Sequence, residues 1–364
     1  MKQERITTSQ LAIVVAIAVM GTVVLSVPRT LSIGAENSGW ISLMLGWAIG
    51  LAGIFLFVRL AERFPQKTIT EYSALVFGRW LGKLVSLSFS AYFILLCALY
   101  TRVFAQTIVI PLLPETPISV VLGIFVILLI YESHAGLQSI AQLSQVFIVP
   151  IIIAALVIVA GVAPLMDLGR LKPLFQPGPG PILRTALTAS THFGESAVLL
   201  VLYPYLTRRS RVLRSGWIGL STALAILLPV VLGGVAVYGH EQVQRLLFPT
   251  LSLARLIRFG GFVEHAEVLF VVLWLFSAFL KVSILFYVSS VALAQTFGID
   301  DYRPLVNVLA TIVILGSLLP ENAAMVLELT DVVVSYGWMY EYGLPLIVLL
   351  AAVVLRKEDR HDEV

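Results

Sequence analysis

Arg102, His192, Glu195 and Lys281 are ionisable side chains set inside long apolar runs. A charge near the centre of a bilayer costs about 2.5–3.5 kcal/mol on insertion scales, so each should face a bundle interior or a cavity. Glu195 and Lys281 fall at similar depth by residue count. They are expected to pair, because opposite charges attract strongly in a poorly polarisable medium. Lys281 would then stand in for a coupling cation. Arg102 is expected in the same buried charge network. Glu195 reads either as a ligand contact or as the structural partner of a buried base, and His192 either as a hydrogen-bonded core residue or as a proton carrier.

The backbone near these residues is weakened. Thr188-Ala-Ser-Thr191-His192-Phe193-Gly194-Glu195-Ser196 combines a glycine with a carboxylate inside an apolar run. Its counterpart is Gly21-Thr-Val-Val-Leu-Ser26-Val-Pro28-Arg29-Thr-Leu31. Pro28 has no N–H, so a helix through it opens around Val24 and Leu25. The break is either a simple proline kink or a place where freed backbone groups hold something polar. The sequence predicts non-helical backbone at both Pro28 and Gly194.

The elements that must carry these residues are membrane spans. With 59% hydrophobic and 12% charged residues in 364, the chain is too apolar for a soluble domain. It reads as one polytopic membrane domain over 1–364. A net charge of +3 marks no nucleic-acid surface, since the basic residues flank spans. The lone Cys97 lies in an apolar run and excludes an intramolecular disulfide. The first apolar segment does not read as a cleavable signal peptide. No P-loop, HExxH, nucleophile elbow or GxGxxG is present, and no His/Glu pair has metal-ligand spacing. No catalytic residue, cofactor or metal is therefore expected.

At about 20 residues per span, the runs are Gln10–Ile33, Trp40–Leu60, Leu84–Leu113, Ile118–Tyr131, Gln138–Met166, Pro181–Leu206, Trp217–Tyr238, Val263–Phe297, Pro304–Leu319 and Val332–Leu355. The third and eighth are long and the fourth and ninth short. That order matches a duplication of about 10–166 in about 181–355. An odd number of spans per copy inverts the second copy, the plan of many secondary transporters with a site between broken helices. The expected fold class is an all-α integral membrane protein of ten helices, a 5+5 inverted repeat with the first and sixth broken. Most Lys and Arg then lie on one side, which puts both termini in the cytoplasm. Arg59–Lys83 suggests a short amphipathic helix on that side. Gly239–Gly261 suggests a helix capping the outer mouth. Gln138, Gln142 and Gln145 line one face of the fifth span, and Gly46-Trp-Ala-Ile-Gly50 is a small-xxx-small packing pattern.

Gly21-x-x-x-Leu25-x-x-Pro28-x-x-Leu31 resembles the first helix of amino acid–polyamine–organocation permeases. The following motifs resemble one branch, the spore germination permeases, B subunits of nutrient germinant receptors. These motifs are Ala35-x-x-x-Gly39-Trp40-Ile41-Ser42, Phe64-Pro65, Glu71-Tyr72, Gly78-x-Trp80-Leu81-Gly82-Lys83, Leu113-Pro114-x-Thr116-Pro117, and Phe193-Gly194-Glu195 with Pro204. The resemblance runs from about residue 5 to 356. It implies a LeuT-like fold in the inner membrane of a spore and assembly with A-type and C-type receptor subunits. It also implies recognition of a nutrient such as an L-amino acid.

On that reading the ligand meets Ser26, Val27, Pro28 and Arg29 at the first break and Thr191, His192, Phe193, Gly194 and Glu195 at the second. Tyr100, Phe104, Phe276 and Phe279, on the third and eighth spans, are expected to form the wall that distinguishes one side chain from another. The competing readings are a transporter working by alternating access, and a scaffold or water/ion pore that binds no nutrient.

Overall fold

The computed structural model describes residues 5–257 and 266–358. The expected start of the eighth span at Val263 lies outside those residues, as does Arg258 before it. Apolar stretches form helix because a chain in hydrocarbon must satisfy its own backbone N–H and C=O groups. Among the described residues, seven helical stretches are long and apolar enough to cross a membrane, and Thr8–Met20 and Arg303–Leu318 are shorter apolar helices.

Helix α1 (Thr8–Met20) starts at a capping box in which Thr7 and Gln10 exchange side-chain and backbone bonds. A turn at Gly21–Thr22 and a 3-10 turn at Val23–Leu25 separate it from α2 (Val27–Ala35). Next come α3 (Gly39–Arg63), the short α4 (Ile69–Phe77), the long α5 (Arg79–Val109), α6 (Ile118–Ala135) and α7 (Leu137–Val162). Helix α8 (Pro179–Gly194) tightens into a 3-10 turn at Glu195–Val198 before α9 (Leu199–Leu202) and α10 (Val212–Tyr238). Two short helices follow, α11 (His240–Arg245) and α12 (Pro249–Arg255), then α13 (Ala266–Phe297) and α14 (Arg303–Leu318). The last stretch is α15 (Ala323–Tyr336), a π-helical turn at Met339–Gly343, and α16 (Leu344–Val354).

Polar contacts sort the connections into two groups. At one end the Ile6 N–H donates to Tyr205 O and Ile6 O accepts from the Thr207 N–H, both at 3.0 Å. There too Arg209 reaches Gln66 at 3.2 Å, Arg63 reaches Lys357 O at 3.4 Å and Tyr302 donates to Ser133 O at 3.0 Å. At the other end Asn37 donates to Lys172 O, Gln244 to Ser32 O and the Asp167 N–H to Ala236 O. Helices α3, α7 and α10 each run from one group to the other.

Two sequence expectations shift. Pro28 lies in the first turn of α2 and Gly194 is the last residue of α8, so neither is at non-helical backbone. Proline is compatible with a first helical turn, and its missing N–H is felt four residues back. The last span begins at Ala323, ahead of its most apolar part, because Asn322 caps it by accepting from the Met325 N–H. Helix α4 buries Ile69, Tyr72 and Val76 and keeps Glu71 and Leu75 exposed, so only one of its faces is open.

Gly46 and Gly50 set the distance between α3 and α8. A Cβ on Gly50 would stand 2.7 Å from Phe193 Cβ, so the helices meet at their backbones. Gly50→Leu is expected to cost about 1–3 kcal/mol by overpacking, read as a loss of folded protein in detergent. A variant as stable as the parent would show that α3 and α8 can separate freely.

Candidate functional site

The break in the first span is a problem of backbone satisfaction. Without an N–H on Pro28, Val24 O has no donor four residues on. Thr250 Oγ1, at the start of α12, supplies one at 2.5 Å. Beyond the break the Arg29 and Thr30 N–H groups both turn back to Ser26 O, at 2.9 and 3.2 Å. Gly21 is required where α1 passes α13, since a Cβ there would stand 2.5 Å from Lys281 Cβ and 2.6 Å from Ser277 O.

Opposite that break lies the ion pair. Lys281 Nζ is 2.8 Å from Glu195 Oε2 and 2.9 Å from Oε1, and the side chains are 0% and 1% exposed. Tyr100 donates to Glu195 Oε1 at 2.6 Å, and its ring lies 4.2 Å from the ammonium. Lys281 Nζ also lies 3.4 Å from Val19 O, at the C-terminal end of α1 where a helix presents partial negative charge. The lysine thus links the end of one half-helix to a carboxylate on the other interrupted span.

Between the break and α15 there is a cavity of about 60 Å³, room for a few water molecules. Thr22, Val23 and Ser26 line it from the break, Tyr100 and Gln106 from α5, and His192 from α8. Leu247 and Phe248 close one side, with Val326 and Thr330 of α15 on another. Thr22 Oγ1 and His192 Nδ1 are buried without a hydrogen-bond partner, as is Thr191 Oγ1 nearby. Buried polar atoms of this kind cost about 1–3 kcal/mol each until something pairs with them.

Of the residues singled out by sequence, Ser26, Tyr100 and His192 reach this cavity. Val27 and Pro28 are buried behind it, and Pro28 packs on Gly234. Arg29 is half-buried in the first turn of α2. Phe193 is buried against Gly50, and Glu195 is held by Lys281 and Tyr100.

The remaining candidates lie elsewhere. Phe276 is 40% exposed and stacks on Phe147, with centroids 4.0 Å apart. Phe279 meets Phe125 edge-on, and Phe104 packs on the other side of that ring. At about 100° per residue, Phe276 and Phe279 are roughly 140° and 160° around α13 from Lys281, so they cannot share its face. Arg102 does not join the charge network. It donates to Ser317 O at 3.3 Å and Pro320 O at 2.8 Å, satisfying carbonyls left open at the end of α14.

Two residues not singled out by sequence matter here. Glu341, in the π-helical turn, is fully buried and accepts from Tyr92 at 2.8 Å. It is the one carboxylate in the run Val332–Leu355, a signal of the same kind that marks Glu195. Thr250 lies in a stretch expected only to cap the mouth, and nothing local marks it.

The sequence profile of the family described as "Spore germination protein" matches residues 5–326. The chain belongs to this family. Spore germination protein YndE of Bacillus subtilis is 28% identical over 95% of this chain and 96% of its own length. Spore germination protein A2 of the same species is 26% identical over 97% of each. Among solved structures, MhsT in complex with L-phenylalanine matches with a TM-score of 0.67 at 17% identity, over 98% of this chain and 90% of that one. A Na+-coupled sialic acid symporter matches with a TM-score of 0.70 at 12% identity, over 95% and 79%. This family member is therefore a multi-pass membrane protein with the LeuT-like transporter fold, and not an enzyme.

Two outcomes follow from the geometry. Exchanging Lys281→Met or Glu195→Gln alone should cost about 3–5 kcal/mol by leaving one buried partner uncompensated, and the double exchange should cost less than either. Folded yield of the three variants measures this, and equal damage from all three would reject a charge interaction. Thr250→Val keeps the shape but leaves Val24 O without a donor. Thermal unfolding should show a loss of about 1–3 kcal/mol, and an unchanged midpoint would mean the break is satisfied another way.

Proposed function

We propose that this chain is the nutrient-binding subunit of a spore germinant receptor, built on an amino acid permease scaffold, and that its ligand is a small L-amino acid. The observation carrying this reading is the cavity at the first break, lined by the unpartnered Thr22 Oγ1 and His192 Nδ1. Groups left unsatisfied inside a protein call for a partner, and a polar ligand in this cavity would supply one. The ligand's carboxylate lies toward Ser26–Arg29, where the N-terminus of α2 favours an anion. Its ammonium lies toward Thr191–Gly194, where the C-terminal end of α8 favours a cation. Tyr100 supplies part of the wall that meets the ligand's side chain. The likeness to MhsT, solved with L-phenylalanine, supports an amino acid as the ligand class.

In this reading the protein sits in the spore inner membrane with both termini cytoplasmic and assembles with A-type and C-type subunits. Lys281 supplies the positive charge between α1 and α13 that a coupling cation would otherwise bring. A second reading is an active amino acid transporter, favoured by the likeness to a Na+-coupled symporter. Uptake into vesicles containing only this chain separates the two, since a sensor binds without flux.

The test is a thermal-shift screen of the purified chain against L-amino acids, sugars and nucleosides. A ligand at 100 times its dissociation constant should add about 2.7 kcal/mol. Thr22→Val should weaken that ligand about tenfold, the equivalent of about 1.4 kcal/mol. Tyr100→Phe should change the rank order of ligands without loss of the folded protein. No stabilisation by any of the three classes would overturn the proposal.

A further inference from the structure

Glu341 is a second carboxyl group in the buried interior, and the ion pair does not account for it. The titratable and charged groups within its electrostatic range are Glu195 beside α8, Lys281 on α13, and Tyr92 and Tyr100 on α5, with Tyr342 in its own turn. Tyr340, also in that turn, stacks on the Tyr92 ring. The nearest titratable side chain of α8 itself is His192, whose charged neighbour is Lys281. Lys281 is the lone cation in this set, and it lies within 2.9 Å of both oxygens of Glu195. With both carboxylates ionised the cluster would hold an unmatched negative charge with no access to water, which is strongly unfavourable.

Position adds to the effect. Glu341 Oε1 accepts from Tyr92, but Oε2 is buried without a partner. That oxygen lies against Gly194, so closely that a Cβ on the glycine would overlap it. Gly194 ends the 16-residue helix α8. A metal ion would need several oxygen ligands and the space to gather them. Among the described residues no group of three or more His, Cys, Asp or Glu side chains is placed to hold one. A proton needs no such space. The π-helical turn is what aims the side chain here, and such turns are frequent at functional sites.

We propose that Glu341 is a proton-binding site, holding a proton on Oε2 where the π-helical turn packs against Gly194. The proton comes from water and returns to it, and only the O–H bond forms or breaks. The assignment does not rest on the nutrient reading, although Gly194 borders both sites.

Infrared difference spectroscopy of the purified full chain in H2O and D2O tests the proposal. The wild type should show the C=O stretch of a protonated carboxyl, shifted in D2O. Glu341→Gln should lose that band and Glu195→Gln should keep it. Tyr92→Phe, which removes the hydrogen bond to Oε1, should keep the band at a shifted frequency. It also provides a check should Glu341→Gln fail to fold. Absence of a protonated-carboxyl band in the wild type, or its persistence in Glu341→Gln, would overturn the assignment.

Discussion

A buried lysine and a buried glutamate cannot each exist alone in this interior, and that constraint fixes how three segments meet. Lys281 brings α13 to the end of α1 through Val19 O and to the interrupted sixth span through Glu195. Tyr100 adds α5 by donating to the same carboxylate. Moving any one of these segments by an ångström or two would leave a charge or a hydroxyl without its partner, at a cost comparable to a large part of a domain's net stability. The cavity beside Thr22 and His192 therefore has walls whose relative positions are set electrostatically as well as by packing.

The two interruptions differ physically. The first span is opened by covalent chemistry, the missing N–H of Pro28, and is repaired from outside by Thr250. The sixth keeps right-handed backbone and only tightens, from α8 into the 3-10 turn at Glu195–Val198. Both stretches keep right-handed backbone through a 3-10 turn, but only the first loses a backbone donor. That division fits a site in which the first break faces the cavity through Thr22, Val23 and Ser26 while the sixth span contributes His192.

What could be read from the sequence was what leaves a local mark. Pro28 announces a break, and Glu195 and Lys281 announce themselves as charges in apolar runs, so the interrupted helices and the ion pair were legible. Depth along a helix is also legible, but direction around it depends on which face packs inward. For that reason the sequence does not show that Phe276 and Phe279 meet Phe147 and Phe125 across α13 from Lys281, or that Arg102 meets the carbonyls at the end of α14. Glu341 carried the same mark as Glu195, yet its contacts with Tyr92 and Gly194 are tertiary and have no local trace. Thr250 meets Val24 across 226 positions of sequence, which no spacing rule anticipates.

The short pairing of Ile6 with Tyr205 and Thr207 has a mechanical consequence. Two backbone hydrogen bonds yoke the segment that enters α1 to the segment that follows α9. The halves of the two interrupted spans at that end then behave as one lever arm, so a pull on the amino terminus is felt in both. A reporter fused ahead of Thr7 would load the hinge of the first and sixth spans together, while the same reporter after Lys357 would pull on α16, outside the yoke.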